Sequence, residues 1–352
     1  MTLEVLQLIW FGLIGILMVG YACLDGFDMG VGILHPFHRS AEDRRFALNA
    51  IGPFWDGNEV WLITFGGAMF ACFPTAYAAA FSGFFLPFMM LLCCLILRGI
   101  SLEFRDKRPS PIWHFCWDVI FFMASLLATF LFGVAVGNMF FGLPVDAVGD
   151  VSVSFWSLLN WYSIIVGVMA VVTFAMHGSI FLFMKSTGEV QQHTRGLFWV
   201  SFVLFLIVYL GVSICSLVAI PSATRNFIAY PWVWALVVVN VLAILNIARS
   251  FRIGSPFQAF FSSCVNIACL VGLLGVALFP NLVVSTTNPE HSLTIYNASS
   301  SLKTMQITLI IAIIGMPFVL LYTGSVYWVF RGKATKDIYS SEHMKPEEHE
   351  GE

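Results

Sequence analysis

The sequence predicts an all-α protein that crosses a membrane about nine times as a helical bundle, and three observations predict it. Of 352 residues, 59% are hydrophobic and only 11% charged, whereas a soluble domain carries charge on about a quarter of its residues. The mean hydropathy is +0.86. The apolar residues fall in runs long enough to cross a bilayer, which takes about 20 helical residues per pass. Together these exclude a soluble globular domain and a disordered chain, and a net charge of −3 excludes a nucleic-acid binder. The eight cysteines lie mostly inside apolar runs with no CxxC pair, which reads as reduced core residues.

The expected spans are residues 5–34, 51–73, 77–101, 117–141, 156–184, 196–220, 231–250, 257–280 and 306–330. The first starts within MTLEVLQLIW, which has neither a basic n-region nor a small-residue cleavage site and so reads as a span and not as a removable signal. The second is the weakest, because Asp56, Asn58 and Glu59 stand in its first turns; treated as re-entrant, it would leave eight crossings. Basic residues arbitrate, since Lys and Arg collect in cytoplasmic loops. Arg39, Arg44 and Arg45 follow span 1; Arg98, Arg105, Lys107 and Arg108 close span 3; Lys185 and Arg195 follow span 5, Arg249 and Arg252 span 7, and Arg331, Lys333, Lys336 and Lys345 span 9. Only Arg225 and Lys303 of the 17 basic residues fall in the other loops. Nine spans give this alternation and eight do not, so the N-terminus is expected outside and the C-terminus in the cytoplasm. Spans 4, 5 and 8 carry further polar groups, among them Asn138, Asn160, Ser262, Ser263 and Asn266, for which helix–helix hydrogen bonds are the default and quinone or water contacts the alternative. GGAMF (66–70) and FSGFF (81–85) read as small-residue helix contacts. With neither a repeat nor an extramembrane domain, residues 1–335 read as one membrane domain, two four-helix bundles plus a peripheral ninth helix; 336–352, hydrophilic and Glu-rich, reads as a disordered cytoplasmic tail.

A charge at mid-membrane costs on the order of 2.5 to 3.5 kcal/mol, so embedded acids mark function or pairing. Six acids, Asp25, Asp28, Asp56, Glu59, Glu103 and Asp118, lie in or at the ends of spans on the basic-loop side. Asp25 and Asp28 share a helix face, with Gly26, Gly30 and Gly32 allowing close approach; Asp56 and Glu59 share another, flanked by Trp55 and Trp61 of an interfacial belt. Arg98 is the one embedded arginine, and six acids cannot all be ionised cheaply beside it, so some are expected to be neutral or paired with Arg98; the bland reading makes Glu103 its structural pair. The functional reading is a proton-loading cluster open to the cytoplasm, carried above all by Asp25 and Asp56. The bland one is wetted helix ends, which suits Glu59 and Asp118 best. Only His177 lies within a long apolar helix, whereas a transmembrane b-type haem needs two facing ligands; a hydrogen-bonded core histidine is the expectation. Met residues in the spans read as packing, and no thiol metal site, phosphate loop or nucleophile elbow is present.

The stretches DGFDMGVG (25–32), Arg44-Arg45, NAIGPFWDGNEVWLI (49–63), GGAMFACFPTAYAAAFSGFF (66–85), LRGISLEFR (97–105) and Trp117-Asp118 closely resemble subunit II of the cytochrome bd quinol oxidases. LFP (278–280) and residues 300–330 agree more loosely, so the resemblance covers essentially the whole chain. It implies a respiratory heterodimer in a bacterial inner membrane. Subunit I, similar in fold, binds two b haems and one d haem, oxidises quinol and reduces dioxygen to water; this chain is its haem-free partner. It further implies a cytoplasmic proton path using Asp56, from the W-D-G-N motif, and Glu103; joined to the embedded acids read above, the expected route runs along Trp61, Asp56, Asp25 and Glu103, with Asp28 and Arg98 alongside. Some members carry Asp in place of Glu103 and Gln in place of Glu59, and some hold a structural quinone within subunit II. A small single-span third subunit and membrane lipids complete the expected partners, with no metal, no firmly bound cofactor on this chain and no nucleic acid. Two other classes fit the embedded acids alone. One is a stand-alone proton-coupled transporter, which would show broken helices in two corresponding halves and would be intact by itself. The other is a haem-carrying cytochrome, which would absorb as haem when expressed alone.

Overall fold

The computed structural model describes residues 1–220 and 224–334; the tail expected at 336–352 lies outside them. Its helices are α1 (Leu3–Leu34), α2 (Ala41–Ile51), α3 (Trp55–Cys72), α4 (Pro74–Gly83), α5 (Phe85–Phe104), α6 (Pro111–Phe141), α7 (Phe155–Leu158), α8 (Trp161–Lys185), α9 (Gly188–Ala219), α10 (Arg225–Ala229), α11 (Trp234–Arg252), α12 (Pro256–Leu278) and α13 (Leu302–Val329). A short antiparallel hairpin of β1 (Asn281–Val283) and β2 (Leu293–Thr294) lies between α12 and α13. The starts are sequence-encoded. Thr2, Asn160 and Ser301 cap α1, α8 and α13 by accepting first-turn amides, and Pro74, Pro111 and Pro256 occupy first-turn positions where no amide hydrogen is needed.

Eight helices, counted among the described residues, are long and apolar enough to cross a membrane: α1, α5, α6, α8, α9, α11, α12 and α13. The ninth expected span, α3, falls short because its first turns carry Asp56, Asn58 and Glu59. It nevertheless runs antiparallel along α1. At one end Asn58 Nδ2 donates to the Leu24 carbonyl at 3.0 Å; midway Trp61 packs on Gly20; at the other end the Cys72 carbonyl accepts from Ser300, beside the Gln7–Ser299 bond. The expected single span 77–101 is two helices, broken at Phe84, because Pro87 in the first turn of α5 lacks the amide hydrogen needed to continue the turn. An element not expected from the sequence, α2, fills part of the first basic loop; Ser40 and Asp43 form its capping box.

Helices α1, α3, α5 and α6 form one group, α8, α9, α11 and α12 a second, and α13 lies outside against α3 and α1. The groups meet where α1 and α6 pack on α8. Gly30 on α1 and Gly178 on α8 set that crossing: a Cβ on Gly30 would collide with the Phe174 carbonyl and lie 2.9 Å from Gly178 N. Gly26 and Gly32 are likewise pressed by Phe174 and Ser125, as expected of small residues in a helix contact. Gly66 and Gly67 do not behave that way. Both face open space, whereas Gly83 packs on Val151 of a loop. Aromatic rings seal the seam below, with Phe27 stacked on Phe181 at 3.9 Å and edge-on to Phe54.

Candidate functional site: a buried carboxylate cluster around Arg98

The C-terminal third of α1, the first turns of α3 and the end of α5 converge at one end of the first group. There Arg98, 1% exposed, donates from a single nitrogen, Nη2, to Asp25 Oδ1 and to Glu59 Oε1, each at 2.6 Å. Asp25 is fully buried, while the Glu59 side chain keeps 26% of its surface. Asp28, one helical turn along from Asp25, accepts from Asn58 Nδ2 at 2.7 Å, and Asn58 Oδ1 accepts from the Tyr327 hydroxyl of α13 at 3.2 Å. Asp25 Oδ2, Asp28 Oδ1, Arg98 Nε and Nη1 and Trp61 Nε1 are buried without a hydrogen-bond partner in this chain. Buried polar atoms are costly unless solvated or bonded.

Three expectations are corrected here. Arg98 does not pair with Glu103, because Glu103 lies on the opposite, outward face of α5, where it is exposed. Glu59 is no idle interfacial acid; it shares the guanidinium with Asp25. Trp61 is also no belt residue, since it is 7% exposed and packed on Gly20. Asp25, Asp28 and Arg98 are therefore brought together with Trp61 beside them. Asp56 and Glu103 stand exposed at the rim on α3 and α5 and make no described hydrogen bond or ion pair. Asn58 and Tyr327 are the members that sequence reasoning missed. Asn58 could have been found from its place between Asp56 and Glu59, but Tyr327 is 269 residues away and carries no local signal.

A second cluster lies beyond the first, at the same end. Asp118 Oδ1 accepts from His35 Nε2 at 2.8 Å and Arg105 Nε at 2.5 Å; its Oδ2 accepts from Arg105 Nη2 and Arg44 Nη1, both at 3.3 Å. Asp118, expected to be an ordinary interfacial acid, is thus the hub that fastens α2, the end of α5 and the turn after α1 to α6. Next to it, outside the spans, His38 is buried with neither ring nitrogen partnered, between His35 and His193 at ring separations of 6.4 and 6.3 Å. Burial, with His35 and His193 adding to it, pushes its imidazole down to about 4.

His177 takes the core role expected of it. Its Nδ1 meets Ser263 Oγ at 2.6 Å, its Nε2 meets the Cys23 carbonyl at 2.9 Å, and its ring stacks on Phe260. Both its nitrogens are thus engaged, and no group of three His, Cys, Asp or Glu able to hold a metal ion occurs among the described residues. In the other half of the first group an apolar cavity of about 1060 Å³ lies between α1, α3, α5, α6 and α12, lined by residues such as Phe11, Phe65, Phe88, Phe132 and Leu274.

The model of the cytochrome bd terminal oxidase subunit II family matches residues 6–330. The chain belongs to that family. Among its relatives, cytochrome bd-I ubiquinol oxidase subunit 2 of Escherichia coli strain K12 is 33% identical over 372 aligned positions, covering 97% of this chain and 98% of the relative. Cytochrome bd ubiquinol oxidase subunit 2 of Bacillus subtilis strain 168 is 34% identical over 330 positions, with 93% and 96% covered. A chain of the bd oxidase from Geobacillus thermodenitrificans superposes with a TM-score of 0.77 at 17% identity, covering 93% of this chain and 98% of that one, which shows a shared fold. For a subunit II chain, the resemblance read from residues 25–32, 49–63 and 97–105 is therefore sound.

Proposed function

We propose that this chain is the haem-free subunit II of a quinol-oxidising, dioxygen-reducing membrane complex, and that it supports a haem-bearing subunit I while supplying protons from the cytoplasm. The observation that carries the proton role is the cluster itself: three carboxylates, Asp25, Asp28 and Glu59, around one guanidinium, inside an apolar bundle. If all were ionised the cluster would hold two uncompensated negative charges, which a low-dielectric interior strongly disfavours. Such a cluster has more proton sites than fixed positive charge, the property of a proton store. Glu59 links it to the rim, where Asp56 lies one turn earlier on α3, and Trp61 and Tyr21 line its inner side. In this proposal Asp56 and Glu103 receive protons at the exposed rim, Asp25 and Asp28 hold them inside, and Arg98 fixes the carboxylates.

The accompanying assignments are nine crossings with α3 as the second, residues 1–335 as one membrane domain, the N-terminus outside and the C-terminus in the cytoplasm of a bacterial inner membrane. They rest on the antiparallel path of α3 and the one-sided basic loops. Both b haems and the d haem belong to subunit I, and quinol is the substrate of the complex. A structural quinone, where a complex holds one here, would use the apolar cavity between α1, α5 and α12; a small third subunit would bind elsewhere on the assembly. The test is Asp56→Asn in the complex. Quinol-dependent oxygen consumption should fall severalfold while the haem spectrum of the purified complex persists. Unchanged turnover in fully assembled oxidase would overturn the proton role; loss of haem together with the partner would make Asp56 an assembly residue.

A further inference from the structure

A groove of about 630 Å³ runs between α11 and α12 in the second helix group, whereas the rim acids Asp56 and Glu103 stand on the first. Its walls are apolar and outward-facing: Val239, Leu242 and Leu245 on α11, Phe261 and Val265 on α12, with Leu245 and Phe261 each 62% exposed. One end is polar, and its hydrogen bonds run in one direction. Arg249 Nη1 donates to Asn246 Oδ1 at 3.2 Å, Asn246 Nδ2 donates to Ser262 Oγ at 2.8 Å, and Ser262 donates to the Gln258 carbonyl at 2.8 Å. This chain holds the guanidinium at the mouth of the groove with one of its five N–H donors used. Among the described residues, Arg249 has no ion pair and no carboxylate lines the groove.

The dimensions suit one leaflet. Val239 and Arg249 are ten residues apart on α11, about 15 Å along the axis, half the roughly 30 Å hydrocarbon core of a bilayer. Arg249 lies three residues before the helix ends and Gln258 two after the next begins, the level at which phosphates lie. Basic pockets between helices at a membrane surface recognise anionic headgroups. Phosphate is common to all glycerophospholipids, but among the described residues the groove offers no acid to accept the ammonium of a zwitterionic headgroup, so charge selects a lipid with net negative charge. We propose that this groove binds an anionic phospholipid, its acyl chain along Leu242, Leu245 and Phe261 and its phosphodiester on Arg249.

The experiment uses the purified oxidase complex and spin-labelled phosphatidylglycerol, with spin-labelled phosphatidylcholine as the zwitterionic, net-neutral comparison, and reads the immobilised lipid fraction. The assembled complex should prefer phosphatidylglycerol about fivefold at this site, the effect of one surface arginine, and Arg249→Gln should remove that preference. Leu245→Trp fills the groove without changing charge and should lower the immobilised fraction of both lipids. The proposal is overturned if the complex shows no preference, if Arg249→Gln retains it, or if a copurifying single-span polypeptide proves to occupy the groove. The comparison of lipids on the unaltered complex decides the matter even where a variant fails to assemble.

Discussion

Removing the guanidinium at position 98 should be the most damaging single change in the acidic cluster, and its size follows from burial. Arg98 is 1% exposed and compensates two carboxylates, of which Asp25 is fully buried and Glu59 keeps about a quarter of its surface. Taking away one partner of a buried ion pair leaves an uncompensated charge and costs about 3 to 5 kcal/mol. Arg98→Met should therefore lower stability by that amount near neutral pH. Glu59→Gln, which leaves Arg98 its fully buried partner and removes only a partly wetted one, should cost about 1 kcal/mol. The informative variant is the double one. Arg98→Met with Asp25→Asn strands no carboxylate at position 25, and it should recover more than half of the loss, a coupling that a double-mutant cycle reads directly. The assay is thermal unfolding of the purified complex in detergent, followed by the haem absorbance of the assembly. Should Arg98→Met prove no worse than Glu59→Gln, or should the double variant be the sum of its parts, the reasoning from burial and charge would fail.

At the α1–α8 crossing, Gly30→Ala should cost about 1 to 3 kcal/mol or more, because the added methyl meets the backbone of α8 and the helices must separate. Gly315→Ala on α13 faces open space and should be neutral by the same thermal assay. His38 makes stability fall with acidification. Its imidazole is held near 4 in the folded chain against about 6.5 when unfolded, so the unfolded state takes up the proton first. Stability should be unaffected above pH 7 and decline through the window from about 6.5 to 4, by up to about 3 kcal/mol. The groups facing it are His35, His193 and Arg44, which oppose protonation, and Asp43, which favours it. His38→Asn should flatten the thermal midpoint against pH over that window; an unaltered slope would assign the effect to other groups.

Most of the architecture was legible because a bilayer leaves few choices. A backbone in hydrocarbon must bond to itself, so each apolar run had to be a helix, and Thr2, Asn160, Ser301 and the first-turn prolines marked where several begin. The shortcomings were local. Phe84 breaks the third predicted span because Pro87 removes one amide, and α2 was hidden because a short amphipathic helix carries no strong apolar run.

The sequence by itself determined the membrane class, the family and the gathering of the acids toward one end of the bundle, since hydropathy, charge position and local motifs are all properties of short stretches of chain. Only the tertiary structure decided which acid serves which partner. Asp25, Glu59 and Arg98 lie on three helices, and Asp118 gathers His35, Arg44 and Arg105 from three separate segments. Such pairings depend on how each helix is rotated about its axis and how closely it approaches its neighbours. Glycines such as Gly20 and Gly30 set that approach, and their role is visible only once Trp61 and α8 are packed against them.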